Sequence, residues 1–226
     1  MSQNSLNLQS VLYTIQMIKI DSFVLGQLQT NCYILSNQKN NCYVIDPADD
    51  FVFLSDFIQN RSLIPKGIIL THGHFDHCLA AFALKKIYNI PILASIEDLF
   101  LLKLIKKSSG YWIQTDYPSF PILEIDINLN KTKTFSFDGI NIQVIKTPGH
   151  TPGSICLYIP DFNILFSGDT LFKDAIGRTD LVYSDKNLLI KSLKKLSKLP
   201  VNTTIYPGHG PKTFIAEELN NLANLF

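Results

Sequence analysis

The five histidines, His72, His74, His77, His150 and His209, each stand just past the end of a predicted strand, in a segment that carries glycine. Three fall in Thr71-His72-Gly73-His74-Phe75-Asp76-His77. One falls in Thr147-Pro148-Gly149-His150-Thr151-Pro152-Gly153, and the last in Pro207-Gly208-His209-Gly210-Pro211. Histidines scattered through a core would not distribute in this way. Neutral imidazole and carboxylate both ligate zinc-like ions. His72 and His74 share a side at the strand period of two, while Asp76 and His77 belong to the predicted first turn of the next helix and face elsewhere. One segment thus offers two ligand pairs facing in two directions, as a dinuclear site requires. Asp169, in Phe166-Ser167-Gly168-Asp169-Thr170, follows a strand in the same manner, and its two oxygens suit it to bridge two ions.

Strand signals dominate the chain. Residues 13–20, 23–25, 31–36 and 41–45 read as strands, the last two joined by the turn Asn37-Gln38-Lys39-Asn40. Helical spacing follows over 49–61, with Phe51, Leu54 and Ile58 on one face. Short strands at 67–70 and 91–94 alternate with helices at 76–88 and 96–107, and 108–130 reads as loop-rich. Four further strands are predicted at 133–137, 140–146, 154–159 and 163–167. Asp138-Gly139 marks a hairpin between the first two. An amphipathic helix at 185–199, a strand at 203–206 and a short helix at 214–225 complete the chain. Two β-rich halves with helices outside predict an α+β fold, a four-layer αββα sandwich in one domain over 13–226. Residues 1–12, rich in Asn, Gln and Ser, read as an N-terminal extension.

A net charge of +1 gives no bias toward nucleic acid or anionic lipid. No apolar run approaches the length that spans a bilayer. The four cysteines, Cys32, Cys42, Cys78 and Cys156, form no Cys-x-x-Cys pair and are expected to pack as small hydrophobes in a reducing cytoplasm. Cys78 follows His77 directly, and a packed thiol is the simpler reading than a soft ligand. The lysines of helix 185–199 fit the solvated side of a helix whose other face carries Leu189, Leu193 and Leu196.

The sequence resembles the metallo-β-lactamase fold superfamily and, within it, the glyoxalase II-like hydrolases. The resemblance runs from about Met17 to the C-terminus. It rests on Thr30-Asn31-Cys32-Tyr33, Ile45-Asp46-Pro47, the three His and Asp segments above, Gly168-Asp169-Thr170-Leu171-Phe172 and Gly177-Arg178-Thr179-Asp180. It implies an αββα sandwich with two divalent ions at one edge of the sheets, zinc first, with iron or manganese as alternatives. Position by position, it implies that His72, His74 and His150 bind one ion, that Asp76, His77 and His209 bind the other, and that Asp169 bridges.

Hydrolysis follows as the expected activity, through a hydroxide formed between the ions and oriented by Asp76. The expected substrate is a small molecule, a thioester of the hydroxyacylglutathione type, with neither nucleic acid nor membrane as partner. Only 17 residues follow His209 (226 − 209), so the helical C-terminal domain of two-domain glyoxalase II enzymes is not expected here. Asp46 is expected to hydrogen-bond groups behind the ligands. Arg178 is expected to pair with Asp180 and pin its loop, with substrate contact as the second option. The alternative enzymes are a persulfide dioxygenase with a single iron, which shares Gly-Arg-Thr-Asp, and a metallo-ribonuclease.

Overall fold

The structure, a computed structural model, describes residues 17–114 and 121–223. The expected extension at 1–12, the start of the strand expected at 13–20, Tyr117, Phe120 and the end of the last expected helix lie outside the described residues.

Among the described residues, fourteen strands and six α-helices are arranged in layers. The first sheet holds, in spatial order, β1 (Ile18–Leu25), β2 (Thr30–Asn37), β3 (Asn41–Ile45), β4 (Ile64–Ile69), β5 (Ile92–Ala94) and β6 (Ile127–Asn128). Its helices are α1 (Phe51–Asn60), α2 (Ala81–Tyr88), α3 (Leu99–Leu102) and α4 (Ile105–Ile113). The second sheet begins with β7 (Thr134–Phe137), β8 (Ile140–Lys146), β9 (Ile155–Ile159) and β10 (Ile164–Gly168). A small ribbon of β11 (Leu171–Phe172) and β12 (Ala175–Ile176) follows, then α5 (Lys186–Leu196), β13 (Thr204–Pro207), β14 (Thr213–Phe214) and α6 (Ile215–Ala223). Strands of the second sheet lie in the order β14-β13-β10-β9-β8-β7.

Side-chain parity explains the layering. In β2, Tyr33 and Leu35 point toward the second sheet, while Cys32 and Ile34 point toward the helices. In β9, Ile155, Leu157 and Ile159 face the first sheet, while Cys156 and Tyr158 face α5 and α6. Strands covered on both faces read as continuous apolar runs, as these do. Three apolar layers result. Leu54, Ile58 and Leu84 join the helices to the first sheet. Phe137, Ile142 and Phe166 fill the space between the sheets. Leu189, Leu193 and Leu196 seat α5 on the second sheet. The fold is therefore the expected α+β four-layer αββα sandwich. No described helix is long and apolar enough to cross a membrane.

Local departures from the sequence reading have specific causes. The described end of the strand expected at 13–20 and the strand expected at 23–25 are one strand, β1, because Asp21 and Ser22 pair with Ile34 and Tyr33 across β1 and β2. The helix expected at 76–88 is split into a 3₁₀ turn, Phe75–His77, and α2. The Ala48 N–H donates to the His77 carbonyl at 3.2 Å, and the Ala80 N–H donates to the Ala48 carbonyl at 2.8 Å. Those backbone groups serve the loop after β3 rather than a helix. The helix expected at 96–107 is likewise broken into a 3₁₀ turn, Ile96–Asp98, then α3 and α4. The break between α3 and α4 falls at Lys103–Leu104, where the Leu104 N–H donates to the Leu101 carbonyl at 2.8 Å, three residues back rather than four. Helix α4 then occupies the start of the stretch expected as loop-rich, and Thr213–Phe214 forms a strand before the last helix. Helix α5 is capped by the Asp185 carboxylate, which accepts from the Leu188 N–H at 3.0 Å, and its lysines face solvent.

Phe166 is 1% exposed between the two sheets. Phe166→Ala is expected to lower the unfolding free energy by about 3–5 kcal/mol in a urea titration. Leu188→Ala, on the outer side of α5, is expected to change it by less than about 1 kcal/mol.

Candidate metal centre

Strand direction gathers the polar segments. β3 and β4 run parallel, β10 and β13 run parallel, and β8 shares their direction because it pairs antiparallel with β9, as β9 does with β10. The segments after β3, β4, β8, β10 and β13 therefore emerge on one edge of the sandwich. The two sheets are tied together there. The Asn31 side chain donates to the Pro207 and Gly210 carbonyls at 2.9 and 2.8 Å, and the Tyr33 hydroxyl donates to Pro207 at 2.6 Å. The Ile155 N–H donates to the Thr71 carbonyl at 2.9 Å.

Two donor clusters result. In the first, His74 Nδ1 lies 3.0 Å from both His72 Nε2 and His150 Nε2. Asp169 Oδ2 stands 4.0 Å from His72 Nε2 and 3.6 Å from His150 Nε2. In the second, His77 Nε2 and His209 Nε2 are 3.3 Å apart, and Asp76 Oδ2 lies 3.5 and 3.3 Å from them. Asp169 also faces this cluster, with Oδ1 at 3.4 Å from His77 Nε2 and Oδ2 at 3.6 Å from His209 Nε2. All seven residues expected around paired ions are thus brought together. Cys78 is in neither cluster: its buried thiol donates to the His74 carbonyl at 3.1 Å, and burial pushes its pKa up.

Each imidazole is aimed by a partner on its other nitrogen. His72 Nδ1 meets the Thr71 hydroxyl at 3.1 Å, and His77 Nδ1 meets Asp46 Oδ2 at 3.0 Å. His74 Nε2 meets the Tyr183 hydroxyl at 2.8 Å, and His150 Nδ1 meets the Arg178 carbonyl at 3.0 Å. His209 Nδ1 meets the Gln29 carbonyl at 3.3 Å. The ring atoms left over are those that converge. Asp46 accepts from both the N–H and the hydroxyl of Thr71, at 2.7 and 2.6 Å, so its carboxylate orients His72 and His77 together. Asp76 is fixed by the Thr30 hydroxyl, which donates to Oδ2 at 2.8 Å.

Electrostatics fit a divalent cation in both clusters. Burial and the neighbouring imidazoles push His72 down, and burial with His150 pushes His74 to about 3, so both rings are neutral lone-pair donors at neutral pH. Burial works to raise Asp76 and Asp169, yet the imidazoles around them, His77 foremost, hold both carboxyls below the usual range. Burial works to lower His77 and His209, yet Asp76 and Asp169 outweigh it and hold both rings above the ordinary imidazole value. The paired carboxylates thus demand positive charge. Asp169 Oδ1 is buried and accepts no hydrogen bond. An acceptor left this way inside a polar cluster suits a metal ion. A Cβ on Gly208 would collide with Asp169 Oδ1 and the His77 ring, so only glycine leaves room there.

Comparison with known proteins gives the family and the fold. The Metallo-beta-lactamase superfamily pattern matches residues 25–209. The chain belongs to the metallo-beta-lactamase superfamily. It is 33% identical to the hydroxyacylglutathione hydrolase GloC of Haemophilus influenzae over 207 residues, 90% of this chain and 94% of that protein. The crystal structure of the BLEG-1 B3 metallo-beta-lactamase superposes with a TM-score of 0.84 at 33% identity, covering 92% of this chain and 99% of that one. The crystal structure of TTHA1623 in a di-iron-bound form superposes at 0.79 with 35% identity, covering 88% and 96%. At the level of class, the chain is a metallo-hydrolase of this superfamily with His/Asp clusters suited to divalent metal ions.

Arg178 contributes to the first cluster through its backbone carbonyl on His150. Its guanidinium forms a two-pronged pair with Asp180, at 2.7 and 2.8 Å. Three supporting residues were not singled out from sequence: Thr71, Tyr183 and Asp98. Thr71 opens the first histidine segment. Tyr183 carries no pattern that marks it. Asp98 had a signal, one of two adjacent carboxylates, with Glu97, opening the apolar run 96–107. It is 2% exposed and accepts from the Gly73 N–H at 2.8 Å, the Thr151 hydroxyl at 2.7 Å and the Gly153 N–H at 2.6 Å. One carboxylate thereby fixes the loop of His72 and His74 to the loop of His150. Asp98→Ala would leave those buried donors unpaired. It is expected to cost about 3 kcal/mol or more in urea unfolding, and to lower metal content in elemental analysis.

Proposed function

We propose that the protein is a dinuclear metal-dependent hydrolase of acyl thioesters. The carrying observation is Asp169, whose carboxylate stands between a three-histidine cluster and an Asp–His–His cluster. His72, His74 and His150 would hold one ion, Asp76, His77 and His209 the other, and Asp169 would touch both. Zinc suits this set of imidazoles and carboxylates, and the di-iron relative makes iron the alternative. Such cations, when bound, would supply a water made acidic near neutrality and a Lewis acid for a carbonyl oxygen.

The chain's own residues position that chemistry. Asp76 lines the adjoining cavity with its Oδ2 anchored by Thr30, so its carboxylate is oriented to accept a hydrogen bond from an attacking water. Tyr183 and the Arg178 carbonyl keep the rings of His74 and His150 in one orientation. Water adds across the acyl C–S bond: the C–O bond forms, the C–S bond breaks, and the proton passes to the departing thiolate. Thioesters of the hydroxyacylglutathione type are suggested by the likeness to GloC; the glutathione carrier rests on that likeness alone.

The test is elemental analysis of the purified protein with assays on thioesters, S-lactoylglutathione among them. Two ions per chain and thioester hydrolysis are expected. One iron per chain with oxygen uptake on glutathione persulfide would establish the dioxygenase instead. Cleavage of RNA, or of a β-lactam, without thioester turnover would also refute the proposal. His150→Ala is expected to lose close to one ion per chain and more than about 100-fold in activity, since even residues that only orient ligands cost 10–100-fold. A His150→Ala protein with full metal content and full activity would overturn the ligand assignment.

A further inference from the structure

The cavity beside the two clusters has a volume of about 480 Å³, the size of a small-molecule site. Beyond the histidines and aspartates, its walls are largely Leu28, Leu101, Trp112, Phe172, Ile176 and Leu181. Among the described residues no lysine lines it, and Arg178 is its single guanidinium. The segments outside the described residues, 1–16, 115–120 and 224–226, contain no Lys or Arg to add.

Arg178 is already engaged. Its Nε and Nη2 donate to the two oxygens of Asp180 at 2.7 and 2.8 Å, and its Cζ lies 5.5 Å above the Trp112 ring. An exposed ion pair alone is weak, but a forked geometry combined with an aromatic face holds a guanidinium in place. The polar atom of Tyr183 is likewise engaged, with its hydroxyl on His74 Nε2 and its ring 5.4 Å from that of Phe100. Glutathione carries two carboxylates and an ammonium. With the ions engaged by the thioester carbonyl and the attacking water, the carboxylates of such a carrier would meet the apolar walls, where the one guanidinium is already paired, and would lose more than they gain.

We propose that the substrate is a thioester with an apolar acyl chain on an uncharged thiol carrier, the chain lying along the wall of Leu28, Trp112 and Ile176. This rests on the hydrolase reading and narrows its substrate. Each methylene placed on that wall is expected to tighten binding roughly fourfold.

The test uses the metal-loaded protein and two series. In calorimetry, uncleavable S-alkyl-N-acetylcysteamines from methyl to hexyl are compared with S-methylglutathione. Affinity is expected to rise with chain length, and the hexyl compound to bind at least about tenfold tighter than S-methylglutathione. Trp112→Ala, at a side chain 49% exposed, is expected to flatten the rise. In turnover, S-hexanoyl-N-acetylcysteamine is expected to exceed S-lactoylglutathione in kcat/KM by a similar factor. Tighter binding of S-methylglutathione, no dependence on chain length, or preference for S-lactoylglutathione would overturn the proposal. Chain-length-dependent binding with two ions loaded but no cleavage of any thioester would sink the hydrolase reading and leave the apolar pocket standing.

Discussion

Asp169 is the point through which the site holds together. Its carboxylate lies among four imidazoles, and one of its oxygens is buried with no hydrogen-bond donor. Leaving a buried acceptor unpaired is unfavourable by about 1–3 kcal/mol, more for a charged group. Asp76 adds a second negative charge a few ångströms away. Without a cation, the surrounding rings answer that charge in part: His77 and His209 are driven toward protonation, while His72 and His74 stay neutral. The donor set is therefore unbalanced in a definite direction, toward positive charge, and the two clusters share the residue that creates the imbalance.

Such a cluster persists only if the scaffold forbids its relaxation. Ring nitrogens converging to 3.0 Å, with their lone pairs turned to one point, would spread the loops were they not tied elsewhere. The ties are mostly carboxylates set one layer back. Asp46 fastens Thr71 and His77, and Asp98 fastens the loops of His72, His74 and His150 to each other. Asp46 adopts a left-handed backbone, φ 47°, a conformation Asp tolerates better than most residues, and so turns the chain sharply beneath the site. Packing between the sheets, centred on Phe166 and Tyr33, fixes the strand ends from which these loops emerge.

Much of this was legible in the sequence, for a physical reason. A residue's parity in a strand, and the need of imidazole and carboxylate for a shared cation, are local properties. They suffice to predict the sandwich and to place His72, His74, Asp76, His77, His150, Asp169 and His209 around one centre. What escaped depends on contacts distant in sequence. The helix expected from residue 76 stops after one turn because the loop at Ala48 takes its backbone bonds. Within the helix expected at 96–107, the Asp98 carboxylate serves Gly153, 55 residues away. Tyr183 reaches His74 across 109 residues. No window of neighbouring residues carries information of that range.

Arg178 shows how the two parts of the site are coupled. Its carbonyl orients His150 on the metal side, while its guanidinium, held by Asp180 and stacked over Trp112, forms part of the cavity wall. Tyr183, five residues on, repeats the arrangement, with a hydroxyl on His74 and a ring against Phe100. The segment after β12 thus orients two rings of the first cluster with the same residues that shape what approaches them. Metal geometry and substrate choice are consequently not independent in this fold. A change that repositions the segment to admit a different carrier must also disturb His74 or His150, unless it acts through the exposed ends of these side chains and leaves the Arg178 carbonyl and the Tyr183 hydroxyl where they are.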